Sequence, residues 1–349
     1  MIIRDFTKKI KFNLAKLKHI DNLEISKNKQ TVLLFAEYSS WGACSNFNEM
    51  FNMSEEYQSW EILETPNNKD GYSFGRKMNK RKLSIRNKRR IKKLSSVHPE
   101  IVFIFDYNGI KVFERFLNIT GTKYSDFRVF IFWTGTPYIK NLHWCNQWTQ
   151  DNSVTAFAMC DLLRFSQSSI PLMQPYNLEY FKGISDQVTK QQTLQKIKLC
   201  HSPGHKGSSN EKGSLTIQEV VSNFDGVVLK QIGNRSKFLN HEDCLIEKSK
   251  CDIFIDKLGP KCAGGIGKSG IESIMLGKPT ICSMHNSIKA KPYDSLPIID
   301  INCGSELSDF LEEIQGKPDI LKSIIEKTIN YRNTFSYNST LDYLNEYIK

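Results

Sequence analysis

Residues 251–282, CDIFIDKLGPKCAGGIGKSGIESIMLGKPTIC, constrain the fold of this chain more than any other stretch. They read as a short apolar strand, a glycine-rich turn, a helix carrying Glu272, then Gly277-Lys278-Pro279 and a second strand. Such a unit belongs to a parallel α/β sheet. Its turn, Gly264, Gly265, Ile266 and Gly267, lets backbone approach an anion closely. The helix that follows, opened by Lys268 and Ser269, aims free N–H groups and its positive dipole end at the same place. Glu272, a turn or two inside, is placed to accept hydrogen bonds from sugar hydroxyls. The plain alternative is a βαβ unit with a flexible turn and a solvated glutamate.

Gly267-Lys268-Ser269 imitates the end of a P-loop, but that motif needs another glycine five positions earlier, where this chain has Cys262. The stretch therefore argues against an NTPase. A second stretch, residues 197–221, reads IKLCHSPGHKGSSNEKGSLTIQEVV: a strand, a basic Ser-rich loop, Lys212-Gly213 and a helix. Taken alone, Lys-Gly in such a loop is ordinary turn chemistry.

Together, and in this order, the two stretches resemble the C-terminal half of GT-B glycosyltransferases. In that family a segment of the form Glu-Ala-Met-Ala-x-Gly-Lys-Pro-Val binds the nucleotide-sugar donor, and here Glu272-Ser273-Ile274-Met275-Leu276-Gly277-Lys278-Pro279-Thr280 stands in its place. The resemblance implies a donor, a UDP-sugar being expected, whose diphosphate meets His205, Lys206 and Lys212. It implies that Gly264, Gly265, Ile266, Gly267, Lys268 and Ser269 serve phosphate and sugar, and that Glu272 serves the ribose. It also implies no bound metal, because loop amides, a helix N-terminus and basic side chains neutralise the leaving diphosphate. Many retaining members carry a glutamate eight positions before the one matched by Glu272; this chain has Gly264 there, so that residue's role does not transfer.

The resemblance extends to the N-terminal half. Residues 31–36 (TVLLFA), 99–105 (PEIVFIF) and 127–133 (FRVFIFW) are apolar, β-rich runs, and the last two end at Asp106-Tyr107-Asn108-Gly109 and Thr134-Gly135-Thr136-Pro137. Ligands in open α/β sheets sit at such carboxyl ends. Where family members often have His-Gly-Ser or His-Gly-Thr, this chain has Thr134-Gly135-Thr136, and Asn177 replaces the Asp of the segment that closes the first domain. The implied fold is GT-B: two Rossmann-like domains with parallel sheets facing across a cleft, and a C-terminal helix crossing back to the first domain. The expected division is 1–185 for the acceptor-binding domain, 186–330 for the donor domain and 331–349 for the returning helix, with the boundary in the polar stretch 182–196. Helical spacing through 318–349 agrees, and a plain surface helix is the alternative.

At 349 residues, with 40% apolar and 11% aromatic residues, the chain can bury two cores. It contains no membrane-length apolar run and no signal-peptide core, so a cytoplasmic protein is expected, in the host cytoplasm for a viral chain. Nine scattered cysteines without a Cys-x-x-Cys pair suggest reduced thiols, with neither a disulfide framework nor a zinc site.

A net charge of +11 is concentrated in residues 76–93, RKMNKRKLSIRNKRRIKK, within the half expected to bind acceptor. Such a run is commonly a solvated face. Its density, self-repelling, also suits a polyanionic partner. Residues 8–20 add a short basic amphipathic helix, either a cap on the first domain or a contact for anionic lipid or phosphate. Two acceptors follow. One is a modified base in duplex DNA, as in T-even bacteriophage glucosyltransferases, with Arg86, Lys88, Arg89 and Arg90 on phosphates, Thr134 and Thr136 toward the acceptor, and Trp144 or Trp148 for stacking. The other is a cell-envelope saccharide or lipid-linked sugar, reached from an anionic membrane surface by a peripherally bound enzyme. The run's length favours DNA. A non-catalytic nucleic-acid-binding protein on the same scaffold and a sugar-nucleotide epimerase stand beside them. For an inverting transfer the expected base is Asp106, with Glu37 in reserve; an Asp that merely caps the next helix is the structural alternative.

Overall fold

The computed structural model describes residues 26, 28–37, 43–63, 98–166, 168–188, 196–203, 212–233, 239–259, 265–284 and 296–349, side chains of 135–137 aside. The basic residues Arg86, Lys88, Arg89 and Arg90, the loop residues His205 and Lys206, Gly264, and the N-terminal 8–20 stretch lie outside the described residues.

The first half alternates strand and helix: β1 (Gln30–Ala36), α1 (Ala43–Met53), β2 (Tyr57–Leu63), β3 (Ile101–Phe105), α2 (Asp106–Thr120), β4 (Arg128–Trp133), α3 (Gly135–Lys140), α4 (Leu142–Asp151), β5 (Thr155–Ala158) and β6 (Ile170–Pro171). Its strands form one six-stranded parallel sheet in the order β2-β1-β3-β4-β5-β6. β3, IVFIF, is buried throughout because helices cover both faces of a parallel sheet. Alternation within β1 divides its side chains. Val32 and Leu34 pack with α1 on one face, Leu33 and Phe35 with α2 on the other.

The helix α5 (Leu178–Val188) leads into the second half. The sequence placed a polar boundary here, yet Phe181 and Ile184 are buried, so the start of that stretch is a packed helix. Then follow β7 (Ile197–His201), α6 (Ser214–Val221), β8 (Val227–Gln231), α7 (His241–Ser249), β9 (Ile253–Lys257), α8 (Lys268–Met275), β10 (Thr280–Cys282) and β11 (Ile298–Asp300). These strands make a five-stranded parallel sheet in the order β11-β10-β9-β7-β8. Helices α9 (Gly304–Gly316), α10 (Pro318–Tyr331) and α11 (Tyr337–Ile348) complete the chain.

One apolar cluster runs through both halves, from Phe47, Phe103 and Phe132 to Ile271, Ile274 and Met275. The same cluster takes Leu344 and Ile348 of α11, which returns to the first sheet as the family resemblance implied. Tyr57 Oη donates to Asn345 Oδ1 at 2.8 Å and Arg128 Nη2 to the Tyr347 carbonyl at 3.0 Å. The cysteine reading needs correction. Sheet order sets β7 beside β9, and Cys200 and Cys251, 51 residues apart in sequence, are joined in a buried disulfide with Cα atoms 5.9 Å apart.

Candidate functional site

Parallel register brings three predicted residues of the first half to one edge. Phe35 pairs with Ile104 and Phe105 with Phe132, so Glu37, Asp106 and Thr134 emerge side by side from the carboxyl ends of β1, β3 and β4. Asp106 is not a cap: Phe105 holds that position and Asp106 opens α2 at φ 66°, a left-handed backbone uncommon outside glycine. The carboxylate is 4% exposed. The Tyr107 N–H donates to Oδ1 at 2.8 Å and Thr134 Oγ1 to Oδ2 at 3.4 Å. Burial pushes its pKa up to about 7; the nearby Glu37 charge adds to the rise, and the two hydrogen bonds only partly oppose it. Thr134, expected toward an acceptor, is therefore buried against Asp106, and the Thr136 side chain lies outside the described residues. Gly109 makes this arrangement possible: a Cβ there would stand 2.7 Å from the Phe35 carbonyl oxygen. Of the two tryptophans considered for stacking, Trp148 is buried, whereas Trp144 is 43% exposed with its ring 4.9 Å from that of Tyr107.

In the second half the two stretches singled out in the sequence meet. Lys212 and Gly213 dock on the end of β9, the Leu258 N–H donating to the Lys212 carbonyl at 3.1 Å. Gly213 has φ 71° and no room for a Cβ, which would fall 1.9 Å from the Leu258 carbonyl oxygen. Asp256, buried on β9, accepts the Gly267 N–H at 2.8 Å and lies 3.7 Å from Lys212 Nζ. The amide at the start of α8 is thus already bonded to the protein's own carboxylate. Burial alone would raise the pKa of Asp256; Lys212, Lys257 and the Gly267 N–H together outweigh it and hold the carboxyl below its ordinary value. Lys257, next along β9, donates to the Gly265 carbonyl at 3.1 Å and faces Asp161 of the first half at 3.5 Å, linking the glycine turn to the other sheet.

Glu272 does not present an open carboxylate. It is 4% exposed and ringed by basic side chains: Lys248 Nζ at 2.8 Å, His241 Nε2 at 2.7 Å and Lys268 Nζ at 3.3 Å. Burial opposes its charge, but Lys248, Lys268 and His241 together hold its pKa well below the usual carboxylate range. His241, about half exposed, is the most accessible member of this ring. Lys248 also donates to the Ser269 carbonyl at 3.0 Å, fixing the first turn of α8. Sequence reasoning missed Asp256, Lys257, Lys248 and His241. Only the first pair left a signal, two charged residues ending the apolar run IFIDK.

No family model and no curated protein sequence matches the chain. Among solved structures, it is similar to sucrose-phosphate synthase (tll1590) from Thermosynechococcus elongatus, at 10% identity and a TM-score of 0.57 over 91% of this chain and 98% of that one. It is similar to Anabaena Alr3699/HepE in complex with UDP and glucose, at 9% identity and a TM-score of 0.57 over 92% and 99%. A third is UDP-GlcNAc 2-epimerase from Neisseria meningitidis bound to UDP-GlcNAc, at 12% identity and a TM-score of 0.51 over 91% and 99%. At these identities the likeness is one of fold, and the chain has the GT-B fold.

Proposed function

We propose that this chain is a glycosyltransferase that moves a sugar from a nucleoside diphosphate sugar, a UDP-sugar first, to a hydroxyl acceptor. Asp106 carries the proposal. A carboxylate at a strand's carboxyl end, held on a left-handed backbone and half-ionised near neutral pH, is suited to take a proton from a hydroxyl. In the proposed step the acceptor oxygen attacks the anomeric carbon and its proton passes to Asp106. The bond from that carbon to the diphosphate breaks, and the leaving group keeps the electron pair. The groups that would hold the diphosphate are Lys212, Lys268 and the start of α8, with His205 and Lys206 assigned from sequence; His241, oriented by Glu272 behind it, would meet the ribose. The UDP-bound and UDP-sugar-bound proteins of the same fold support this choice of donor.

The proposed acceptor is a hydroxyl on a modified base in duplex DNA, resting on the basic run at residues 76–93. Steep salt dependence of duplex binding supports it, while flotation with anionic liposomes and indifference to DNA favours an envelope glycan instead. Similarity to an epimerase favours one second reading, conversion of the sugar nucleotide with no acceptor. Incubation with UDP-sugars followed by mass spectrometry separates these outcomes, since transfer releases UDP and epimerisation does not. Asp106→Asn is expected to abolish transfer while keeping donor binding. Unchanged turnover in that variant would sink the assignment.

A further inference from the structure

The two oxygens of Asp256 face different elements. Oδ2 is bonded to the Gly267 N–H at 2.8 Å, which fixes the start of α8. Oδ1 stands 3.7 Å from Lys212 Nζ, beyond hydrogen-bond length, while that ammonium donates to the Ser202 carbonyl at 3.0 Å. Lys212 is therefore oriented by a backbone carbonyl and balanced, without being bonded, by the carboxylate. Lys257 and Lys248 also act on Lys212 and both oppose its charge. The Cys282 thiol faces it as well, and neighbouring His201 is buried with both ring nitrogens bonded, Nδ1 to the Ile255 carbonyl and Nε2 to Ser214 Oγ. Among these groups Asp256 is the one close carboxylate.

We propose that Asp256 is a positioning residue for the donor's phosphates: it is the counter-charge beside the Lys212 ammonium, and through the Gly267 N–H it fixes the start of α8, so that lysine and helix start face one anion. This rests on the nucleotide-sugar reading above. The directions agree with it, since burial pulls the pKa of Lys212 down and Asp256 is the first group that lifts it back. A carboxylate 1% exposed and pinned to a backbone amide is held in place rather than poised to swing aside. The opposite role, an internal anion competing with phosphate for the same groups, predicts the opposite sign.

Two measurements on the folded, full-length protein test this. UDP titrations by calorimetry from pH 6 to pH 9.5 compare wild type with Asp256→Asn, Asp256→Glu and Lys212→Met. The Asn variant is expected to lose about tenfold or more in UDP affinity, the weight of one charged hydrogen bond, and Glu to restore most of it. Its binding should also fail at a lower pH than that of wild type, a limb that Lys212→Met removes. Equal affinity with an unmoved pH profile, or tighter binding by Asp256→Asn, overturns the proposal. NMR titration of Lys212 Nζ in lysine-labelled protein needs no ligand: a lower titration point in Asp256→Asn is expected, and an unmoved one overturns the proposal. Absence of UDP binding in wild type with a displaced Lys212 titration would count against the nucleotide-sugar reading and leave the Asp256–Lys212 coupling standing.

Discussion

Replacing the carboxylate expected to do the chemistry should make the protein more stable. Asp106 titrates near 3.8 in an unfolded chain and at about 7 in the fold, because burial penalises its charge. Between about pH 4 and about pH 7 the folded protein holds a proton that the unfolded chain has released, so stability falls as pH rises through that window and is level above it. At about 1.4 kcal/mol per pH unit the full loss is about 4 kcal/mol. Relaxation around the carboxylate leaves about 2–4 kcal/mol to be regained by Asp106→Asn at pH 8. Asparagine cannot ionise, keeps an oxygen for the Tyr107 N–H, and tolerates φ 66° better than most residues. Urea unfolding of wild type and variant at pH 8 and pH 5 reads the difference. The gain should shrink to about 1 kcal/mol at pH 5, where little of the wild-type penalty has developed. A gain of equal size at both pH values, or a loss at pH 8, would refute the reasoning.

Lys248→Met leaves Glu272 buried without its hydrogen-bonded ammonium and should cost about 3–5 kcal/mol in urea unfolding, far more than Lys250→Met on the exposed side of the same turn. His201 is held neutral, its pKa lowered to about 4 chiefly by burial, so the unfolded chain takes up a proton first as pH falls below about 6.5. Stability should decline by about 3 kcal/mol between there and about pH 4, and His201→Gln should flatten that slope. Gly109→Ala places a methyl against the Phe35 carbonyl and should cost about 1–3 kcal/mol, whereas Gly183→Ala, in α5 with open space around it, should gain up to about 1 kcal/mol. Thermal unfolding of the two alanine variants gives the sign of each.

Six of the strands, β1, β3, β4, β7, β9 and β10, were legible because a parallel strand covered on both faces needs a continuous apolar run, which β3 supplies residue for residue and β4 supplies after the exposed Arg128; β2, β5, β6, β8 and β11 were not singled out. That the C-terminal stretch is a helix was legible from the spacing of Leu341, Leu344 and Tyr347, while its return to the first half came from the family resemblance, and the structure adds that Leu344 and Ile348 are the residues it buries. The partners of Glu272 were not. Lys248 and Lys250 are alike in sequence, and only the packing of α7 against α8 sends one into the protein and leaves the other about half exposed. Asp256 was illegible as a partner of Gly267 because the two stand eleven positions apart along the chain. The Cys200–Cys251 pair required knowing that β9 lies beside β7, an order that no spacing along the chain encodes.

Three buried carboxylates divide the labour between the halves. Asp106 is buried with a hydroxyl, an amide and another carboxylate for company, so its charge is disfavoured and it is ready to exchange a proton near neutrality. Asp256 and Glu272 are buried among lysines, so their charge is favoured and they do not exchange one in that range. Burial is common to all three; the sign of the neighbouring charge decides the outcome. A site that splits its carboxyl groups in this way separates proton transfer from charge holding. Under the proposed function, proton chemistry would fall to the carboxyl edge of the first sheet and anion handling to α8 of the second. Exchanging the two environments tests that division: Thr134→Lys, which sets an ammonium beside Asp106, should pull its pKa down toward the ordinary range and remove its ability to act as a base near pH 7, with Asp256 and Glu272 unaffected. NMR titration of the Asp106 carboxyl in that variant measures the shift, and a value still near 7 would mean that burial alone, and not the neighbouring charge, sets its state.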